Sequence, residues 1–153
     1  MQLKDFPLSW RWMNESYALL PDAVLARIHP LDEEQAAMLF NESLEHCVAD
    51  GLDESKFSLS RIDTSGVLSL KISQWLFDRH NDRETEAFVS WQPDTAVKTT
   101  WGIFATYWNE FCYPASDDLC VWPESGAWVL LYHHEEQLQF GMRALIDRES
   151  AVR

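Results

Sequence analysis

The spacing of apolar residues in the first third of the chain is helical. Ala36, Phe40 and Leu44 recur at intervals of four. Asp32 stands ahead of them with Gln35 three residues later, which is the order of a capping box. The pattern predicts a helix over about 32–49, preceded by a short helix over 22–28. Trp10 and Trp12 alternate around Arg11 and indicate an edge strand.

The period changes to two from Phe57 onward. The segments KFSLSRI and VLSLKIS alternate apolar and polar residues and are separated by the turn-forming DTSG. This arrangement predicts a hairpin, in which Leu68, Leu70 and Ile72 share the inward face. The segment AFVSW predicts a further strand, which Gln92-Pro93 ends.

A second long helix is predicted over about 94–111, with Asp94 as its cap. Its apolar residues step by four and three and form one stripe: Val97, Trp101, Phe104, Trp108 and Phe111. Gly102 and the neighbouring threonines weaken helix propensity, so the stripe must pack against a sheet. A strand at TTWGIF is the competing interpretation.

The last part of the chain predicts three antiparallel strands, DDLCVW, AWVLLYHH and QLQFGMR, with turns at PESG and at Glu135-Glu136. We therefore expect one α+β domain over 1–153. Its antiparallel sheet of about five to seven strands packs against the two main helices, 32–49 and 94–111.

Composition narrows the class of protein. Hydrophobic residues make up 46% of the chain and eight are tryptophan, which excludes a disordered chain and predicts a core built around indole rings. No apolar run reaches the roughly 18 residues of a membrane span. The start of the sequence lacks the pattern of a signal peptide, and the three cysteines are most simply free thiols. We expect a cytoplasmic protein without a membrane partner.

The formal net charge of −13 is unevenly distributed. Residues 28–55 and residues 99–142 contain no lysine or arginine, and we call these segments the first and second base-free windows. Such a field repels nucleic acid and attracts basic proteins. The alternative explanation is that the charge serves only to keep the protein soluble.

Known chemical motifs are missing from the sequence. His133, His134, Glu135 and Glu136 are consecutive, so on a strand their side chains should diverge rather than converge on one ion. Asp117 and Asp118 follow turn-forming residues and suit local capping. No nucleophile elbow, metal-binding helix pattern or glycine-rich phosphate loop occurs. We therefore predict no catalytic residue, no metal and no cofactor.

The block from Thr99 to Arg143 contains TTWGIF, a W-x-x-F pair, a YP-x-SDD loop, W-x-L-x-Y and FG-x-R. This block, about the last third of the chain, resembles the end of a family of small acidic gammaproteobacterial proteins of unknown function. More loosely, it is similar to immunity proteins of contact-dependent growth-inhibition systems, in which a helix with a TTW start leads into a terminal antiparallel sheet. The second resemblance implies an inhibitor that blocks a toxin domain, often a nuclease.

The leading hypothesis is a non-catalytic binding protein of inhibitor or immunity type, directed at a basic partner such as a toxin nuclease domain and not at nucleic acid itself. We expect its partner-binding face around the second window, at Asp117, Asp118, Trp122, His133, His134, Glu135 and Glu136. Two alternatives stay open. One is an enzyme that joins His133 or His134 with Asp117 or Asp118, and the other is an acidic subunit whose exposed tryptophans form an oligomer contact.

Overall fold

A computed structural model describes residues 1–143. Its helices are α1 (Trp10–Met13), α2 (Asp22–Leu25), α3 (Glu33–Glu45), α4 (Ser69–Arg79), α5 (Trp101–Thr106) and α6 (Trp108–Phe111), preceded by a 3-10 turn at Leu3–Asp5. Its strands are β1 (Ala18–Leu19), β2 (His29–Pro30), β3 (Cys47–Val48), β4 (Gly51–Leu52), β5 (Phe57–Asp63), β6 (Glu86–Gln92), β7 (Thr95–Thr100), β8 (Leu119–Pro123), β9 (Trp128–His133) and β10 (Gln137–Arg143). Within residues 1–143, no helix is both long enough and apolar enough to cross a bilayer.

Seven strands form one antiparallel sheet in the order β2-β7-β6-β8-β9-β10-β5. The predicted α+β class and strand number are therefore confirmed. The three C-terminal strands and their turns are also confirmed, with Val121 opposite Leu130 and Leu130 opposite Phe140. The small hairpin β3–β4 stands apart from the main sheet.

The sheet is covered on both faces, as its central strands show, since both sets of their alternating side chains are buried. On one face, Val121, Leu130 and Phe140 pack with the helices α1, α4, α5 and α6. On the other face, Trp122 and Leu131 pack with α3 and the β3–β4 hairpin. Most tryptophans are buried, as predicted, and Trp10 is an exception at 37% exposed.

The capped helix is confirmed with adjusted bounds. Asp32 Oδ1 accepts a hydrogen bond from Gln35 N at 2.8 Å, and Gln35 Oε1 accepts one from Asp32 N at 3.4 Å, which completes the capping box. The helix ends at Glu45 rather than near residue 49, because the chain turns into β3. Its buried residues are Ala36, Leu39 and Ser43, whereas Leu44 is exposed.

The predicted helix over 94–111 is wrong in its first third. Thr95–Thr100 is strand β7, which pairs with β6, and the β-branched threonines there favour a strand. The helix starts one residue after Thr100, whose hydroxyl accepts a hydrogen bond from Ile103 N at 3.2 Å. The stripe from Val97 to Phe111 is nevertheless buried throughout, since strand and helix bury the same face of the sheet.

Two further segments are helices where strands are predicted. The second half of the predicted 57–73 hairpin is helix α4, with Ile72 and Leu76 buried one helical turn apart and Leu68 and Leu70 exposed. The strand β5 pairs instead with β10. Trp10 and Trp12 lie on helix α1, not on an edge strand.

Candidate functional site

Asp117 is a structural residue of the interior. Its side chain is 9% exposed, and its carboxylate accepts two hydrogen bonds from the Arg11 guanidinium, at 2.6 and 3.1 Å. It also accepts the Tyr113 backbone N–H at 2.9 Å. The Arg11 guanidinium lies over the Tyr113 ring, 4.0 Å from its centroid. Asp117 is therefore not available at a surface, which corrects its placement on a partner-binding face.

Trp122 is also buried, with no exposed area. Its ring packs 5.5 Å from that of His46, and its Nε1–H donates to Glu42 Oε1 at 3.2 Å. Trp122 is directed towards α3 because it lies on the second face of β8. It anchors α3 to the sheet and does not contribute to a docking surface.

Asp118, His133 and His134 converge, contrary to the expectation that consecutive residues diverge. The strand β9 ends at His133, so His134 lies in the following turn and its ring centroid is 4.2 Å from that of His133. His134 Nδ1 lies 3.0 Å from Asp118 Oδ1. One potential ligand atom from each of the three residues lies within 4.8 Å of the others. We call these three residues the imidazole cluster.

The carboxyl group of Asp118 is held in its ionised form. Partial burial alone would raise its pKa, but the His134 backbone N–H, at 2.9 Å, and the His134 ring both donate to it. The nearby charge of the two imidazoles adds to this effect, and the net result is a lowered pKa. Asp118 can therefore accept hydrogen bonds or bind a cation throughout the neutral range.

The two predicted glutamates differ in role. Glu135 is exposed, and its Oε2 lies 4.0 Å from His133 Nδ1. Glu136 occupies the left-handed region, with φ of 64°, and its carbonyl accepts hydrogen bonds from both Thr64 N and Thr64 Oγ1. Glu136 therefore shapes the turn, whereas Glu135 is free to contact another molecule.

An acidic groove runs beside this turn. It consists of two neighbouring clefts of about 460 and 440 Å³ that share Asp50 and Gln137. The carboxylates that line it are Asp50, Asp53, Glu54, Asp63 and Glu135. Among the described residues of its lining, Arg61 is the one lysine or arginine, and its guanidinium pairs with Glu54 at 2.6 Å. The groove therefore carries a net negative charge.

The groove joins the two base-free windows, which are far apart in sequence. Asp50, Asp53 and Glu54 come from the first window and Glu135 from the second. The β3–β4 hairpin is held against β10 because Leu52 N donates to Gln139 Oε1 at 3.0 Å. A Cβ atom at Gly51 would lie 2.5 Å from that oxygen, so glycine permits the close approach. The sequence motifs do not mark Asp50, Asp53 and Glu54 as site residues, and the signal in the sequence that could have found them is their charge in a base-free segment.

A third cleft, of about 360 Å³, lies between α3 and the sheet. Cys47, Cys120 and Asp118 line it together with apolar side chains that include Phe40 and Leu131. The Cys47 and Cys120 sulfurs are 4.0 Å apart, and the Cys47–Cys120 contact lowers the pKa of Cys47 while it raises the pKa of Cys120. All three cysteines are free thiols, in agreement with the prediction.

Comparison with protein-family models, with curated protein sequences and with solved structures finds no match to this chain. The function must therefore be argued from the geometry described above.

Proposed function

We propose that this chain is a non-catalytic binding protein that docks a basic partner protein in its acidic groove. The observation that carries the proposal is the joining of carboxylates from both base-free windows along two connected clefts. Lysine and arginine side chains of a partner would enter these clefts and pair with Asp50, Asp63 and Glu135. The partner-binding face is thus the groove and the adjoining turn with His133, His134 and Asp118.

An inhibitor or immunity role is the most concrete form of this proposal. A toxin nuclease binds phosphate through clustered lysines and arginines, and a groove of carboxylates is complementary to that surface. The looser resemblance to immunity proteins is consistent with this role, because α5 starts at the tryptophan of the TTW segment and leads through α6 into β8, β9 and β10. In this proposal the protein acts in the reducing cytoplasm.

The experiment compares two double variants that change the net charge equally. Asp50→Lys/Glu135→Lys reverses two groove carboxylates, whereas Glu15→Lys/Glu124→Lys reverses two exposed carboxylates outside the groove. Wild type and both variants are immobilised to capture proteins from bacterial extract, and each captured protein is purified and titrated by calorimetry at 50 and 300 mM NaCl, concentrations chosen to span strong and weak screening.

The expected result is a basic protein that binds wild type and the control but loses about tenfold or more in affinity for the groove variant. Its affinity should also fall with salt, because the Debye length shortens from about 10 Å near 0.1 M. The proposal fails if the groove and control variants lose binding equally, or if the groove-dependent partner is acidic.

A catalytic role is the second candidate, and the Asp118–His134 contact at 3.0 Å favours it. A carboxylate that orients an imidazole is the usual support of a general base. A catalytic pairing of a histidine with Asp117 loses support, because Asp117 forms an ion pair with Arg11 in the interior. The oligomer hypothesis loses its stated basis as well, since most tryptophans are buried.

A further inference from the structure

The imidazole cluster joins two nitrogen donors and one carboxylate on a single turn of the surface. We propose that Asp118, His133 and His134 form a binding site for a divalent transition-metal ion of the Zn²⁺ type. This inference is independent of the role proposed for the acidic groove, because none of its steps requires a protein partner.

The distances within the cluster suit a single ion. Two ligands bound at about 2.0–2.1 Å in a tetrahedral site lie roughly 3.3 Å from each other. His134 Nδ1 lies 3.0 Å from Asp118 Oδ1 and 3.2 Å from Asp118 Oδ2. The ligand atom of His133 completes a set whose members all lie within 4.8 Å. Rotation of the partly exposed imidazoles would close the remaining gap.

Donor chemistry selects the class of metal. Two imidazoles and one carboxylate match the ligands of zinc, copper and nickel sites. Magnesium and calcium prefer six or more oxygen donors, so they fit this set poorly. Glu135 Oε2, at 4.0 Å from His133 Nδ1, can add a fourth donor after rotation of its exposed side chain.

The backbone beneath the ligands is already fixed. Asp118 Oδ1 accepts the His134 N–H at 2.9 Å, and the His134 carbonyl accepts the Ala115 N–H at 3.2 Å. The Glu136 N–H closes the turn on the His133 carbonyl at 2.9 Å. Binding would therefore order side chains alone, which keeps its entropic cost low.

Binding requires one change of tautomer at His134. Its Nδ1 lies 3.0 Å from Asp118 Oδ1, and in the tautomer with the proton on Nδ1 it donates to that carboxylate. The ion would take the position of that proton between nitrogen and oxygen, and the imidazole would carry its proton on Nε2 instead.

A competing zinc site must be distinguished. The Cys47 and Cys120 sulfurs are 4.0 Å apart, and thiolates also bind zinc. Cys47→Ser removes one of these sulfurs and leaves the imidazole cluster intact. His29→Ala removes an exposed imidazole on β2 and serves as the matched control for loss of a histidine.

The test is calorimetric titration of the full chain with ZnCl₂ and, separately, with MgCl₂. His134→Ala deletes a ligand but keeps the backbone N–H that Asp118 accepts, and Asp118→Asn removes the charge while keeping an acceptor oxygen. We expect one zinc site in wild type, weakened about tenfold or more by either substitution, with His29→Ala and Cys47→Ser unchanged and magnesium not competing.

Three results would overturn the inference. They are the absence of zinc binding to wild type, equal weakening by His29→Ala and His134→Ala, and loss of binding with Cys47→Ser alone. Circular dichroism of each variant confirms that the fold is retained, so that a loss of affinity reports on the ligands.

Discussion

The buried pair of Arg11 and Asp117 connects the N-terminal helix α1 to the loop that precedes β8. Their side chains are 5% and 9% exposed. Removal of one partner from a buried pair leaves an uncompensated charge and costs about 3–5 kcal/mol. Asp117→Asn tests this directly, since it keeps the shape of the side chain and removes its charge.

The magnitude should lie at the lower end of that range. In Asp117→Asn, the Arg11 guanidinium keeps the Phe111 carbonyl at 3.3 Å and the Tyr113 ring at 4.0 Å. These contacts offset part of the lost interaction, so we expect a loss of about 3 kcal/mol in the free energy of unfolding. For a chain of this size, that loss corresponds to a decrease in Tm of about 6–12 °C.

The assay is urea unfolding followed by far-UV circular dichroism, which avoids the local response of Trp10 and Trp12. The variants are Arg11→Met, Asp117→Asn and the double substitution, and the double-mutant cycle gives the coupling energy. Glu84→Gln breaks the exposed Arg27–Glu84 pair, 2.7 Å long with side chains 49% and 73% exposed, and should lower the stability much less than Asp117→Asn because solvent screens an exposed pair. Equal losses for Asp117→Asn and Glu84→Gln would refute the reasoning.

Three further predictions concern the core. Cys47 should react first with a thiol reagent in the native state, because it is partly exposed and its contact with Cys120 lowers its pKa. Burial raises the pKa of Cys112, and the contact with Cys47 raises the pKa of Cys120, so both should react more slowly. Equal rates for all three thiols would contradict this prediction. Burial lowers the pKa of His46 below its usual 6.5, so as the pH falls the unfolded chain binds a proton before the folded chain does. The free energy of unfolding should therefore decrease as the pH drops below about 6.5. His46→Phe should reduce the difference in this free energy between urea unfolding at pH 7.5 and at pH 5.5. Gly141→Ala should lower the free energy of unfolding by about 1–3 kcal/mol in the same assay, since the new Cβ would lie 2.8 Å from the Phe57 Cβ. A loss of stability as small as that of an exposed substitution would count against the packing described.

Local patterns predicted the C-terminal half of the sheet well. The strands β8, β9 and β10 alternate and are joined by tight turns, so nearest neighbours in sequence are also neighbours in space. The error over Thr95–Thr100 has a physical cause. Val97 and Trp101 are four residues apart, and this spacing fits one continuous helix as well as it fits the observed strand followed by a helix.

The candidate sites depend on contacts that no local pattern encodes. The position at which β9 ends decides whether the side chains of His133 and His134 diverge or meet. The sequence HHEE is compatible with a strand and with a turn, so it does not fix that position. The acidic groove exists because the β3–β4 hairpin is fixed to Gln139 of β10, nearly ninety positions further along the chain by residue number. The role of Asp117 likewise depends on Arg11, which the sequence places at the other end of the described chain.

The position of β10 between β9 and β5 has a consequence for biosynthesis. At about 5–20 residues per second, the ribosome needs about 4–15 s to travel from the end of β5 to the start of β10. During that interval β5 has no ladder partner and exposes its backbone hydrogen-bonding groups. Nascent chains that stop before residue 137 would leave β9 at an open edge of the sheet and β5 unpaired on both sides, so such truncated products should be prone to aggregation and dependent on chaperones.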